Sequence, residues 1–314
     1  MPFGFVFPGQ GSQSVGMLGD LAAAQSGGLI RETFAEASGI LGYDLWKLTA
    51  EGPADELNAT ERTQPAMLAA GIATFRLWRE LGGAEPTVVA GHSLGEFSAL
   101  VAAEALDFAA AIDLVAFRGR VMQEAVPSGT GAMAAILGLE DADVVGTCLE
   151  AAAGGVVEAV NFNSPGQVVI AGERGPVERA IELAKGRGAK RAVILPVSVP
   201  SHSSLMRPAG RRLGEKLASV TFRVPRLRFV SAVDAQPHED PEELRGLLVR
   251  QLSSPVRWSQ TLRALVGLGL GEIIECGPGK VLTALNRRIE RRADLKCLAI
   301  EDAASLEESL VATR

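Results

Sequence analysis

Short apolar segments alternate with longer helical patterns along this chain of 314 residues. Each apolar segment has a length that suits a buried strand, and most of them end near glycine or proline. These segments occupy residues 3–9, 87–91, 131–139, 156–172, 191–199, 226–233 and 269–279. Alternation of strands and helices is typical of an α/β fold with a mostly parallel sheet, so we predict that fold class.

One part of the chain has a different order of elements. Residues 127–198 follow the pattern strand, helix, strand–turn–strand, helix, strand. This order is that of the split βαβ, ferredoxin-like arrangement. We therefore expect a small ferredoxin-like subdomain at 127–198, inserted into a larger domain made of residues 1–126 and 199–314.

Charge and composition exclude several functional classes. The formal net charge is −6, so a nucleic-acid partner is not expected. No apolar stretch approaches the roughly 20 residues that a membrane span needs, and the first residues lack the basic start of a signal peptide. The three cysteines are far apart and form no metal-binding or disulfide spacing. We expect a cytoplasmic monomer without metal.

A serine between two glycines is the main candidate for chemistry. The segment "TVVAGHSLGEF" fits G-x-S-x-G with Gly91, Ser93 and Gly95, between a predicted strand and a predicted helix. In this motif a sharp turn exposes the serine hydroxyl at the N-terminus of a helix. We predict that Ser93 is a nucleophile. The alternative is a glycine-rich turn in which Ser93 only caps the helix.

A nucleophilic serine needs a general base, and the chain has three histidines. His92 adjoins the serine, so its side chain should point elsewhere, and His238 lies in a polar loop where we expect it to be solvated. His202 follows a predicted strand. By elimination we predict His202 as the base.

The loop after the first strand, "FPGQGSQSVGM", lies beside the serine turn if the sheet is parallel. It resembles a dinucleotide-binding fingerprint, but Ser14 takes the place of the third glycine. We expect instead that the backbone N–H of Gln10 points towards Ser93. Together with the N–H of Leu94, it would form an oxyanion hole.

An arginine lies on an apolar stripe of the helical segment 109–126. The stripe follows 3-4-3-4 spacing and contains Ala111, Leu114, Arg118, Val121 and Ala125. Arg120 is on the opposite side, with Glu124 at i+4 as its expected partner. A buried guanidinium must be paired. Its partner is either an internal carboxylate or the carboxylate of a substrate, and the helix alone does not decide between them.

Several stretches together resemble the malonyl-CoA:acyl carrier protein transacylase family. They are "FVFPGQGSQSVGM", "TQPAML", "GHSLGEFSAL", "FRGRVMQEAVPSGTGAMAAILGL", "NFNSPGQVVIAG", "LPVSVPSHSSLM", "RQLSSPVRW" and "ECGPGKVL". The resemblance covers nearly the whole chain and implies an α/β-hydrolase-like core with the small subdomain inserted.

The resemblance also implies a mechanism. The malonyl group would rest on Ser93 between two half-reactions, with His202 as base and Arg118 on the malonyl carboxylate. In the family a backbone carbonyl orients the histidine, and the matching position is Gln251. No cofactor is implied, because malonyl-CoA is a substrate and the acceptor carries its own phosphopantetheine.

Acyl carrier proteins are acidic, so a basic docking surface is expected. Residues 185–191, with Lys185, Lys190 and Arg191, are one candidate, and residues 286–296 are another. Either cluster would otherwise be a solvated helix face. Two alternative functions are an acyltransferase of a polyketide pathway, with the same chemistry, and a serine thioesterase, which would not need Arg118.

Overall fold

The computed structural model describes residues 2–24, 26–127, 129–197 and 199–314. Within these ranges the strands are β1 (Phe3–Phe7), β2 (Val88–Gly91), β3 (Gly131–Leu137), β4 (Val157–Ser164), β5 (Gln167–Glu173), β6 (Arg191–Ile194), β7 (Arg228–Val230), β8 (Pro237–His238), β9 (Glu272–Cys276) and β10 (Lys296–Ile300). The helices are α1 (Gly19–Ala23), α2 (Gly28–Leu41), α3 (Leu45–Glu51), α4 (Ala54–Leu57), α5 (Thr60–Glu80), α6 (Gly95–Ala102), α7 (Phe108–Glu124), α8 (Asp141–Ala152), α9 (Arg174–Gly186), α10 (Arg207–Leu217), α11 (Pro241–Gln251), α12 (Trp258–Gly267), α13 (Val281–Ile289) and α14 (Ala303–Ala312).

A parallel sheet forms the centre of the molecule. Its strand order is β10-β9-β1-β2-β7-β8, and among the strands described only the β7–β8 pair is antiparallel. Strand β1 is buried on both faces: Phe5 packs edge-on against Trp78 of α5, while Val6 belongs to the cluster that contains Trp258. Burial of both faces explains why this strand is an uninterrupted apolar run. The predicted α/β fold class is confirmed.

A second sheet is formed by the four strands between Gly131 and Ile194. It is antiparallel, with the order β4-β5-β3-β6, and α8 and α9 share one apolar core with it. This is the strand order of a ferredoxin-like fold. The prediction that 127–198 form a separate subdomain stays a prediction, and its end at Ser198 lies outside the described residues.

The two sheets are joined by main-chain hydrogen bonds as well as by the chain itself. The amide of Phe162 in β4 donates to the carbonyl of Val256, and the Val256 amide donates to the carbonyl of Val160. Val256 lies just before α12, on the large sheet's side. The face of the small sheet near β4 is therefore fixed next to the ends of the parallel strands.

The predicted strand at 191–199 is only partly correct. Strand β6 stops at Ile194, and Leu195, Pro196 and Val197 continue as a loop. Pro196 has no N–H to donate to a neighbouring strand, which accounts for the early end.

The glycines around Ser93 allow three pieces of backbone to meet. A Cβ on Gly95 would lie 2.0 Å from the carbonyl oxygen of Phe7, and a Cβ on Gly91 would lie 2.0 Å from the carbonyl carbon of Gly95. Real side chains do not tolerate such distances. Glycine is thus required here because β1, β2 and the start of α6 touch without side chains between them.

We predict that Gly95→Ala destabilises the protein by about 3 kcal/mol or more, because the added methyl group meets backbone that cannot move aside. Gly39→Ala is the matched control: Gly39 lies inside α2, and a Cβ there meets no other atom within 4 Å. The control should be stabilised by about 0.5–1 kcal/mol. Urea denaturation of both variants measures the difference, and equal stabilities would contradict the proposed constraint.

Candidate active site

Ser93 occupies the turn between β2 and α6 in a left-handed conformation. Its φ is +52°, a value that residues other than glycine rarely adopt. Such strain persists only when the surroundings enforce it, and the close glycine packing described above does so. The turn presents the Ser93 side chain to a cavity at the carboxyl ends of β1 and β2.

His202 links Ser93 to the backbone of Gln251. The Nε2 atom of His202 lies 2.8 Å from Ser93 Oγ, and its Nδ1 lies 2.7 Å from the carbonyl oxygen of Gln251. A carbonyl oxygen only accepts hydrogen bonds, so Nδ1 must carry the proton. Nε2 is then free to accept the proton of the Ser93 hydroxyl, which is the tautomer that a general base requires.

The surroundings keep His202 uncharged. Burial and, next in size, the positive charge of Arg118 lower the pKa of His202 to about 3, although the hydrogen bond to the Gln251 carbonyl acts in the opposite direction. The imidazole is therefore neutral at physiological pH. A neutral imidazole beside a serine hydroxyl is suited to accept a proton during nucleophilic attack.

The backbone amides of Gln10 and Leu94 belong to residues that line the same cavity as Ser93. Within the described part of the chain, neither amide donates a hydrogen bond to another residue. Leu94 directly precedes the first turn of α6, where free N–H groups favour a negative charge. Both amides are thus available to stabilise an oxyanion.

Arg118 is buried beside Ser93, and amide oxygens are its main partners. Its Nη1 donates to Gln64 Oε1 at 2.8 Å, and its Nη2 donates to Gln251 Oε1 at 2.9 Å and to Ser93 Oγ at 3.3 Å. The buried Nε has no hydrogen-bond partner among the described residues. In those same ranges, no carboxylate lies within salt-bridge distance of Arg118.

Of the two partners considered for Arg118, the internal carboxylate is therefore not found in direct contact with it among the described residues. Burial lowers the pKa of Arg118 to about 10, so the guanidinium still carries its charge at neutral pH. The predicted pairing of Arg120 with Glu124 is wrong. Glu124 contacts Arg212 of α10 at 2.5 Å, and the Arg120 guanidinium lies 5.8 Å from the ring centre of Phe117.

The other two histidines have structural partners. His92 Nε2 lies 2.9 Å from Asn163 Oδ1 of β4, so His92 connects the turn that carries Ser93 with the small sheet. His238 is less solvated than expected, since its side chain is only 16% exposed and lies between Asp234 and Glu243. Asp234 lies four residues before His238 and Glu243 five residues after it. In a loop with so many polar residues, the sequence did not show that these two carboxylates contact the histidine.

Two site residues were not predicted from sequence. Gln64, on α5, holds Arg118, and Glu96, on the first turn of α6, accepts from Gln251 Nε2. Burial raises the pKa of Glu96 to about 7. A carboxylate among the apolar residues of "GEFSALVA" is a signal that could have identified Glu96.

A cavity of about 500 Å³ contains these groups. One wall comes from the strand ends and loops of the parallel sheet, and the other comes from β3, β4 and β5 of the small sheet. Met133, Val169 and Leu285 supply apolar surface, while Asn161 and Gln167 supply polar groups. Such a cavity suits a small acyl group carried on a long flexible chain.

In the described ranges, no group of three or more His, Cys, Asp or Glu is arranged to hold a metal ion. None of the helices described is both long and apolar enough to cross a lipid bilayer.

Known proteins are similar to this chain along most of its length. The model of the acyl transferase domain family matches residues 4–303. A malonyl CoA-acyl carrier protein transacylase of Escherichia coli K12 is 56% identical over 287 residues, which is 91% of this chain and 92% of that protein.

Solved structures are similar along the whole chain. An acyl carrier protein S-malonyltransferase from Vibrio cholerae has a TM-score of 0.94 and 53% identity, covering 98% of this chain and 99% of that one. A malonyl-transacylase solved in complex with its type II PKS acyl-carrier protein has a TM-score of 0.97 and 52% identity, covering 99% and 100% of the two chains.

An α/β fold with a serine on a strained turn and a histidine in hydrogen-bond contact is the arrangement of enzymes that pass an acyl group through a serine ester. The chain belongs to the acyl transferase domain family and, within it, to the malonyl CoA-acyl carrier protein transacylases.

We predict that the NMR resonances of the His202 ring do not titrate between pH 8 and pH 5, because the pKa of His202 lies near 3. In Arg118→Ala the cation that disfavours the imidazolium is gone, so the pKa of His202 should rise. Proton–carbon spectra of the histidine rings, assigned with His202→Asn, measure both. A midpoint near pH 6.5 for His202 in the unaltered protein would contradict the prediction.

Proposed function

We propose that this protein transfers a malonyl group from malonyl-CoA to the phosphopantetheine thiol of an acyl carrier protein, through a malonyl ester on Ser93. The observation that carries the proposal is Arg118: a buried, charged guanidinium in contact with Ser93 and, among the described residues, with no carboxylate in salt-bridge contact. An acyl group that ends in a carboxylate supplies the missing negative charge.

In the first half-reaction, Ser93 Oγ attacks the thioester carbonyl while its proton passes to His202 Nε2. The carbonyl of Gln251 accepts from Nδ1 and stabilises the imidazolium that forms. The amides of Gln10 and Leu94 donate to the oxyanion of the tetrahedral intermediate. The intermediate collapses to the malonyl ester, and the CoA thiolate leaves with the proton from His202.

In the second half-reaction, the thiol of the carrier takes the place that CoA held. His202 removes its proton as the sulfur attacks the ester carbonyl, and the same amides stabilise the second oxyanion. The C–O bond to Ser93 then breaks, and His202 returns the proton to Ser93 Oγ. The protein ends each cycle in its starting state.

Arg118 gives this chemistry its selectivity for the acyl group. A guanidinium held by two amide oxygens keeps its charge and still has N–H donors for a carboxylate. An acetyl group offers no carboxylate, so it leaves the buried charge of Arg118 without a counter-charge. We therefore propose that malonyl is preferred over acetyl.

The proposed role in metabolism is the supply of malonyl units for fatty-acid synthesis. The names of the bacterial relatives support an acyl carrier protein as acceptor, and the solved complex with a type II PKS carrier supports the same chemistry for polyketide carriers. A simple thioesterase would have no use for Arg118.

We propose that the protein acts as a monomer in the cytoplasm and needs no cofactor. Every catalytic group of the enzyme in the proposed steps comes from one chain. The three cysteines are unpaired and buried, which suits a reducing compartment.

We predict that malonyl-CoA without acceptor adds one malonyl group to the intact chain, and that Ser93→Ala shows no adduct. Arg118→Ala should lower malonyl loading about 100-fold while acetyl loading is kept or increased, because truncation of a buried charged partner typically costs about 2–5 kcal/mol. Intact-mass spectrometry over time measures both acyl groups.

Arg120→Ala is the matched control, since Arg120 is exposed on the same helix. It should load malonyl at the original rate. Release of CoA without an adduct, and without transfer when the carrier is added, would identify a hydrolase instead.

One residue of each basic cluster, Arg191 and Arg288, lies near the same end of the small sheet. Leu137 of β3 pairs with Gln167 on one side and with Arg191 on the other. Arg288 of α13 donates to Gln167 Oε1 at 3.0 Å, and Gln167 lines the cavity. We propose that Lys185, Lys190 and Arg191, together with Arg288, form one basic surface that receives the acidic carrier.

Charge reversal tests this surface. We predict that Arg191→Glu and Arg288→Glu raise KM for the carrier several-fold at low salt and leave transfer to a small thiol unchanged, because rim charges act mainly on encounter. Arg211→Glu, exposed on α10 and outside the cavity lining, is the control. Equal losses with both acceptors would rule out a docking role.

A further inference from the structure

A buried carboxylate behind the proposed catalytic groups has no part in the steps described so far. Glu96 lies three residues after Ser93 and is fully buried. In the described part of the chain it forms no salt bridge, and the groups that reach its oxygens all donate hydrogen bonds. Ser231 Oγ and the Ala232 amide donate to Oε1 at 2.8 and 2.6 Å, and Gln251 Nε2 donates to Oε2.

The amide group of Gln251 has only one orientation that satisfies these neighbours. Its Nε2 donates to Glu96 and to the carbonyl oxygen of Ser93, the latter at 2.9 Å. Its Oε1 accepts from Arg118 Nη2 at 2.9 Å. The carbonyl of Ser93 can only accept, and above a pH of about 7 the ionised carboxylate of Glu96 can only accept as well. Both draw the NH₂ end of the amide towards themselves, so the oxygen end faces Arg118.

We propose that Glu96 is a positioning residue that sets the selectivity for the acyl group: it fixes the amide of Gln251, which in turn holds Arg118 and the Ser93 turn. The inference rests on the proposed function, in which Arg118 receives the malonyl carboxylate. It adds a residue that touches neither substrate nor reacting atoms and acts through Gln251 alone.

The cost of burial supports a role for the charge of Glu96. An isolated carboxylate in the protein interior is unfavourable unless it satisfies something that a neutral group cannot. Here it satisfies three donors and lies one amide group away from Arg118.

Glu96→Gln tests the proposal with almost no change in shape. The new amide oxygen can still accept from Ser231 and Ala232, so the new NH₂ faces the NH₂ of Gln251. The amide of Gln251 is then no longer drawn towards position 96, so it is free to turn or to shift away from Arg118. Either movement gives Arg118 a poorer acceptor, while the carbonyl of Ser93 loses the donor from Gln251 and keeps the backbone N–H of residue 96.

We expect Glu96→Gln to lower the ratio of malonyl to acetyl loading by about tenfold or more, as for the loss of a hydrogen bond to a charged group. Glu96→Asp retains two accepting oxygens and should fall between Glu96→Gln and the original protein. The control is Glu275→Gln: Glu275 is another buried carboxylate, but it accepts from the amides of Leu282 and Thr283 and should leave the ratio unchanged.

A double-mutant cycle separates positioning from a general loss of stability. Gln251→Ala keeps the backbone carbonyl that accepts from His202. In this background Glu96→Gln should have no further effect on the loading ratio, since the amide through which it acts is absent. An unchanged ratio in the folded single variant, equal losses for both acyl groups, or an independent effect in the Gln251→Ala background would each overturn the proposal.

Failure of the proposed function gives a different result. In that case Arg118→Ala itself would leave the loading ratio unchanged. A crystal structure of Glu96→Gln then decides the inference: it is supported if Gln251 Oε1 no longer accepts from Arg118 Nη2, and it is overturned if that contact persists.

Discussion

A positive charge is held inside this protein next to the serine, and much of the site is arranged around it. Arg118 reaches Ser93 from α7, while Gln64 of α5 and Gln251 of α11 hold it with amide oxygens. Amide oxygens accept hydrogen bonds from the N–H groups of Arg118 and do not neutralise its positive charge. A carboxylate in direct contact would neutralise it. Three helices distant in sequence must therefore converge on one guanidinium, which keeps its charge beside Ser93.

Gln251 joins the remaining parts of the site. Its backbone carbonyl accepts from His202, and its side chain contacts Arg118, Glu96 and the carbonyl of Ser93. Ser93 and His202 both adopt positive φ values, +52° and +66°. Such conformations cost about 1–3 kcal/mol each and persist where packing enforces them. A single residue at the end of α11 thus helps to hold both strained residues in contact.

Much of the fold could be predicted because its signals are local. Strands β1 and β2 are apolar runs, and the periodicity of α7 placed Arg118 on a buried face, where the structure has it. Strand β6 is shorter than predicted because a proline follows it closely. Helices α10, α11 and α12 were not predicted. In α10 the charged residues outnumber the apolar ones, so its buried face is a narrow stripe.

The sequence by itself determined the turn that carries Ser93, the buried face of Arg118 and the family of the chain, because these follow from neighbouring residues and from recognisable motifs. Tertiary structure decided which groups meet. His202 and Ser93 are 109 residues apart, and Arg118 and Gln251 are 133 apart. Contacts over such separations leave no local periodicity. The hydrogen-bond partners of Arg118 and of Glu96 are therefore set only by the packing of β2, α5, α7 and α11 around one cavity.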